Sequence, residues 1–208
     1  MQRFLFFVDS TSVWVGKIFG WSILALTLAI SYDVFMRYVF RSPTDWGYDV
    51  SYMLYGALFM MAGAYALSRN GHVRGDVLYR LMPIRWQAGV DLTLYFLFFF
   101  PAVLALMYSG FEYAKMAWVI KEHSALSPDG PPLYHFKSLI PIAGFFLFLQ
   151  GIAEVVRCIQ GIKTGEWPQR LSDVEELEKQ IMKDAKDGKS GDEILAAVGS
   201  GMHKEDKK

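Results

Sequence analysis

Four long runs without a single charged side chain divide the first 170 residues of this 208-residue chain. Ile18 to Tyr32, Val50 to Leu67, Leu92 to Phe111 and Ser138 to Ala153 contain no Asp, Glu, Lys or Arg. A bilayer core about 30 Å thick needs roughly 20 apolar residues in a helix to cross it. Extended to their polar flanks, the runs become spans at about 13–36, 46–67, 87–111 and 136–158. Buried helices of a water-soluble core are the alternative, but so many exposed aromatics and leucines do not suit a surface in water. Charge separates the rest. Residues 171–208 carry 10 acidic and 7 basic side chains, whereas residues 1–170 carry 11 and 14. The expected fold is therefore an all-α integral membrane protein. It has four transmembrane helices in a membrane domain over 1–170, a short interfacial amphipathic helix, and a charged cytoplasmic C-terminal tail over 171–208. The N-terminal apolar stretch runs well past 15 residues with no small-residue cleavage pattern, so the first helix is expected to be retained.

Composition removes several classes of function. Zero formal net charge argues against a general nucleic-acid binder. One cysteine excludes an intramolecular disulfide, a Cys-based zinc site and an iron–sulfur cluster. No phosphate-binding glycine loop, serine elbow or HExxH motif is present, and no cofactor or catalytic residue is expected. A haem-holding membrane bundle needs histidines that face each other across its interior. His72, His123, His135 and His203 fall in loops, at a span edge or in the tail. His123, His135 and Glu122 are the nearest approach to a metal grouping and read as solvated loop residues.

Orientation follows from Lys and Arg near the span ends. The side that holds both termini and the second loop carries Arg3, Lys17, Arg69, Arg74, Arg80, Arg85, Arg157, Lys163 and Arg170. The other side carries Arg37, Arg41, Lys115, Lys121 and Lys137. Nine against five places both termini in the cytoplasm.

The connections carry the remaining signals. Arg41-Ser42-Pro43-Thr44-Asp45-Trp46 is a tight helical hairpin in which Pro43 stops the first helix and Trp46 sits at headgroup level. After the helix breaker Asn70-Gly71, residues Asp76 to Trp86 alternate apolar side chains with Arg80 and Arg85, which predicts an interfacial helix facing lipid phosphates. The third loop, roughly Glu112 to Lys137, is the longest, and a rigid turn-rich stretch lies at Ser127 to Pro132. Its Lys121, Glu122, His123 and Asp129 are candidates for docking another protein. In the tail, Ser172 and Glu175 form a capping-box pattern that predicts a short surface helix.

Charges at membrane depth are costly and are usually paired. Asp33 and Arg37 stand one helical turn apart and predict an intrahelical pair; the interhelical alternative joins Arg37 to Asp49. Glu154 and Arg157 are three apart and pair likewise. With Trp46, Arg74, Asp76 and Arg80, these are the structural or interface candidates. No repeat and no mid-membrane charge mark a transport pathway, which suggests an accessory subunit.

The stretch Arg37-Tyr38-Val39-Phe40-Arg41-Ser42-Pro43-Thr44-Asp45-Trp46, with an acid at Asp49, resembles the first hairpin of the small, DctQ-like membrane subunit of tripartite ATP-independent periplasmic (TRAP) transporters. Gly71-His72-Val73-Arg74-Gly75-Asp76-Val77-Leu78 is similar to that family's pattern after the second span. Pro131 to Ile142 resembles a subgroup with a longer third loop, and the resemblance covers about residues 10–170. The family often has glutamate shortly after the tryptophan, where this chain has Gly47, Tyr48 and then Asp49. The resemblance implies a scaffold in the bacterial inner membrane for a large transport subunit. It also implies a docking contribution for a periplasmic binding protein, and sodium-driven uptake of a carboxylate such as a 2-oxo or hydroxy acid. Membrane lipids are the other expected partners. A haem-binding or other anchor subunit of a redox complex, or a stand-alone membrane protein, are the alternatives.

Overall fold

The computed structural model describes residues 2–69, 79, 82–127 and 130–170. Every regular element there is helical: α1 (Gln2–Gly20), α2 (Ser22–Val39), α3 (Gly47–Ser68), α4 (Ile84–Leu94), a π-helical turn (Tyr95–Phe99), α5 (Phe100–Ile120), α6 (Tyr134–Lys137) and α7 (Leu139–Thr164). They form four stretches long and apolar enough to cross a membrane: Gln2–Val39, Gly47–Ser68, Ile84–Ile120 and Tyr134–Thr164. The tail, including the capping box at Ser172, lies outside the described residues, as do Arg74, Asp76, Arg80 and Asp129. In the segment expected to be interfacial, Pro83 has extended backbone and Ile84 to Trp86 already belong to α4.

The spans differ in length. At about 1.5 Å per residue, the 22 residues of α3 cover roughly 33 Å, close to one bilayer core. The 38 residues of Gln2–Val39 and the 37 of Ile84–Ile120 cover roughly 55 Å. The first stretch is interrupted only at Trp21, where Gly20 ends α1 and the chain turns once before α2. It also begins eleven residues before the sequence-derived start at Val13, because Leu5 and Val8 pack on Ala153 of α7.

The helices lie side by side. α3 packs against α1, α2 and α7, and α7 packs against α3, α4 and α5. Small residues set these contacts. A Cβ at Gly16 would come 2.6 Å from Tyr65 Cβ, and one at Gly144 would come 2.6 Å from Met107 Cγ. Ala57, Ala64, Ala88, Ala114, Ala117, Ala143 and Ala153 are buried at the same seams. Many large apolar side chains point outward: Phe7, Trp14, Leu28, Phe35, Phe59 and Phe111 are all exposed, whereas Leu5, Met61 and Leu67 are buried. α2 buries no residue at all. This inversion, small inside and large outside, is what lipid as solvent favours.

Contacts across the seams fix two ends of the bundle. Gly47 meets Asp33 and Gly110 meets Ile140 toward one end, here the hairpin face; Gly161 meets Ala88 toward the other, the terminal face. α5 closes at Lys121 in the left-handed conformation (φ 51°), and Gly165 (φ 77°) closes α7.

Candidate functional site: a polar cluster at each end of the bundle

At the hairpin face, Asp33 near the end of α2 accepts a hydrogen bond from Arg37 Nη2 at 2.6 Å. It also accepts from the Thr44 backbone N–H at 2.9 Å and from the Thr44 hydroxyl. The carboxylate thus ties the first connection back onto its own helix. Trp46 stacks on Tyr32 with ring centroids 6.0 Å apart, which closes the same corner.

Asp49 does something different from the pairing with Arg37. It is fully buried in the first turn of α3, where the helix dipole favours a negative charge. Its two oxygens accept from Ser124 and Ser127, each at 2.6 Å. Both serines come from the third loop, so Asp49 fastens that loop to the second span. The loop is itself ordered by a short antiparallel pairing: His123 bridges Pro132, Ser124 N–H donates to Pro131 O, and Leu133 N–H donates to Glu122 O.

Among the docking candidates, Lys121 and His123 are exposed. The Lys121 ammonium lies 5.0 Å from the Trp118 ring and 5.2 Å from the Tyr134 ring, within cation–π range of both. His123 Nδ1 lies 2.7 Å from the Lys121 carbonyl. Glu122 is engaged: the buried Lys137 ammonium donates to it at 2.5 Å and sits 4.0 Å over the Tyr113 ring.

At the terminal face, the expected Glu154–Arg157 pair is one link in a longer chain. Arg157, with none of its surface exposed, donates through Nη1 to Glu154 and through Nη2 to Asp9, each at 2.5 Å. Gln150 donates to the second oxygen of Asp9 and accepts from Ser12, both at 2.9 Å. Arg170 reaches back from beyond α7 to both oxygens of Glu154, at 2.8 and 3.0 Å. Two carboxylates face two guanidinium groups, and the formal charge of the cluster is zero. Asp9, Ser12, Gln150, Glu154 and Arg157 are all buried. The cluster locks α1 to α7, and Arg170 ties the following segment to α7 through Glu154 and to the end of α3 through the Ser68 carbonyl.

Sequence reasoning missed Asp9 and Ser12, since it began the first span at Val13, and it singled out neither Gln150 nor Arg170 as a site residue. A signal was present. Asp9 and Ser12 share a helical face with Leu5 and Val8, and Gln150, Glu154 and Arg157 recur at i, i+4 and i+7. Among the described residues, no group of three or more His, Cys, Asp or Glu side chains is arranged to hold a metal ion.

Residues 26–161, about two thirds of the chain, match the sequence model of the family described as "Tripartite ATP-independent periplasmic transporters, DctQ component". No curated protein matches the chain.

Proposed function

The chain belongs to the DctQ component family of TRAP transporters, and from that premise we propose that it braces a large transport subunit in the bacterial inner membrane. In this reading uptake is driven by sodium and the cargo is an organic carboxylate. The hairpin face is periplasmic, both termini are cytoplasmic, and a periplasmic binding protein docks at the third loop. Asp33, Arg37, Trp46 and Asp49 hold the periplasmic corner, and Glu154 and Arg157 hold the cytoplasmic one. Lys121, Glu122, His123 and Asp129 contribute to docking, while Arg74, Asp76 and Arg80 serve the interface on the cytoplasmic side.

One observation carries the reading: every carboxylate and guanidinium of the two clusters is hydrogen-bonded within the chain, and Arg157 Nε is the one buried polar atom of the clusters that finds no partner among the described residues. Charges that take part in transport must exchange partners, and exchange exposes a buried charge at a cost of several kcal/mol. A cluster closed on itself suits a body that stays rigid while a neighbour moves. The outer helix α2 supports the same reading, because none of its residues is fully buried in this chain and the face turned away from α3 offers large apolar side chains to a neighbour.

The test is uptake in vesicles. Membranes holding the large subunit, with or without this chain, are supplied with the binding protein, an imposed sodium gradient and radiolabelled carboxylates. Accumulation is expected only with the chain, the binding protein and sodium all present. Equal accumulation without the chain, or without sodium, overturns the corresponding part of the proposal. Orientation is read separately, with Leu126→Cys and Lys163→Cys labelled by an impermeant maleimide. The native Cys158 is buried and serves as the unlabelled background.

A further inference from the structure

A shallow groove of about 410 Å³ runs along the outer face of α4, lined by Arg85, Trp86, Gly89, Val90, Thr93 and Leu94. It continues into a second hollow beside Phe96 and Leu97. The lining is chemically graded. Arg85 stands at the terminal-face end, its Nε 3.6 Å from where a Cβ on Gly165 would be. Among the described residues it has no hydrogen-bond or ion-pair partner, and no carboxylate lines the groove. Asp91, on the same helix, is turned inward and accepts from the Tyr79 hydroxyl at 2.7 Å. Trp86 beside Arg85 is 70% exposed, the position of a ring at headgroup level. Below them the only polar side chain is Thr93, whose hydroxyl is already bonded to the Gly89 carbonyl at 2.9 Å.

Shape and length fit one class of molecule. A Cβ at Gly89 would meet nothing within 4 Å, so the glycine leaves a bare floor. Further along, the π-helical turn widens the helix and brings Phe96, Leu97 and Phe98 to the surface in succession. From Arg85 to Leu97 the axis advances about 18 Å. Half of a bilayer is about 15 Å of hydrocarbon, or roughly 20 Å with its headgroups. The groove is therefore about as long as one leaflet is thick, with a guanidinium at one end and an apolar trough along the rest.

We infer that this groove is a binding site for an anionic phospholipid of the terminal-face leaflet. Arg85 holds the phosphate, Trp86 flanks the headgroup, and one acyl chain lies over Gly89 along Val90, Leu94 and Leu97. The guanidinium supplies paired donors suited to phosphate oxygens.

The full chain is reconstituted in vesicles of phosphatidylcholine and phosphatidylglycerol, with acyl chains brominated on one lipid or the other. Trp86 fluorescence quenching is taken as the difference between wild type and Trp86→Phe. Brominated phosphatidylglycerol is expected to quench at a roughly fivefold lower mole fraction than brominated phosphatidylcholine, the factor expected of one basic residue at an anionic lipid surface. Arg85→Gln should abolish this preference and Arg85→Lys should keep most of it. Gly89→Leu should lose it with the guanidinium intact. Equal quenching by the two lipids in wild type overturns the inference, as does an unchanged preference in Arg85→Gln or Gly89→Leu. Quenching lost on assembly with the large subunit would place protein on this face, and would overturn it as well. The measurements on the chain alone need no other subunit, so a failed lipid preference is distinguishable from a failure of the transporter reading.

Discussion

Asp9 is the residue whose loss the fold should tolerate least. Its carboxylate is 1% exposed and accepts from Arg157 on one oxygen and Gln150 on the other. Asp9→Ala takes the buried cluster from zero formal charge to +1 and leaves Arg157 with only Glu154, which it shares with Arg170. Removing one partner of a buried ion pair costs about 3–5 kcal/mol. For a chain of this size that corresponds to a fall in melting temperature of roughly 6–20 °C. The double variant Asp9→Leu with Arg157→Met removes both charges, keeps the volume and leaves Glu154 paired with Arg170. Replacing a buried pair by apolar side chains is often neutral, so the double variant should recover most of the loss, to within about 2 kcal/mol of wild type. Thermal unfolding in a mild detergent, followed by circular dichroism on the same preparations, compares the three. Single and double variants that fall equally, or a single variant that does not fall, would refute the claim that this pair is buried and coupled.

Other positions give contrasting outcomes. Arg37→Gln should change stability by less than about 1 kcal/mol, because the Arg37 side chain is 55% exposed and Asp33 keeps its two bonds to Thr44. Gly144→Leu should destabilise by about 1–3 kcal/mol or more, since even a Cβ there meets Met107 at 2.6 Å. Asp49→Ala removes the acceptor of both Ser124 and Ser127, so limited proteolysis should cut faster between residues 122 and 133 while the melting of the helices moves little. Lys121→Glu should weaken association with the binding protein, read by surface plasmon resonance on the assembled transporter, and leave unfolding unchanged.

What could be read from the sequence was local. Lipid forces about 20 residues of apolar helix per crossing, and that constraint leaves four runs that periodicity does not blur. The Asp33–Arg37 and Glu154–Arg157 pairs are visible because an α-helix brings i+4 and i+3 together. The bonds that organise the bundle are not of that kind. Asp9 and Arg157 are 148 positions apart, and Asp49 and Ser124 are 75 apart. Nearness in the chain instead suggested Arg37 as a partner for Asp49. Hydropathy also leaves the first eleven residues of α1 outside the span it outlines. It counts Asp9 and Ser12 against a span, whereas in the structure α7 offers them Arg157 and Gln150. The seams themselves were hidden for a related reason: in lipid it is the small residues that face inward, and a hydrophobic stripe marks the outside.

The central claim is that this chain works as one part of a larger membrane assembly. Native mass spectrometry on gently solubilised membranes, with this chain tagged, tests it most directly. The account predicts a stoichiometric complex of the 23.7 kDa chain with a large multi-span subunit. A tagged chain that leaves the membrane alone, folded and stable, would contradict it.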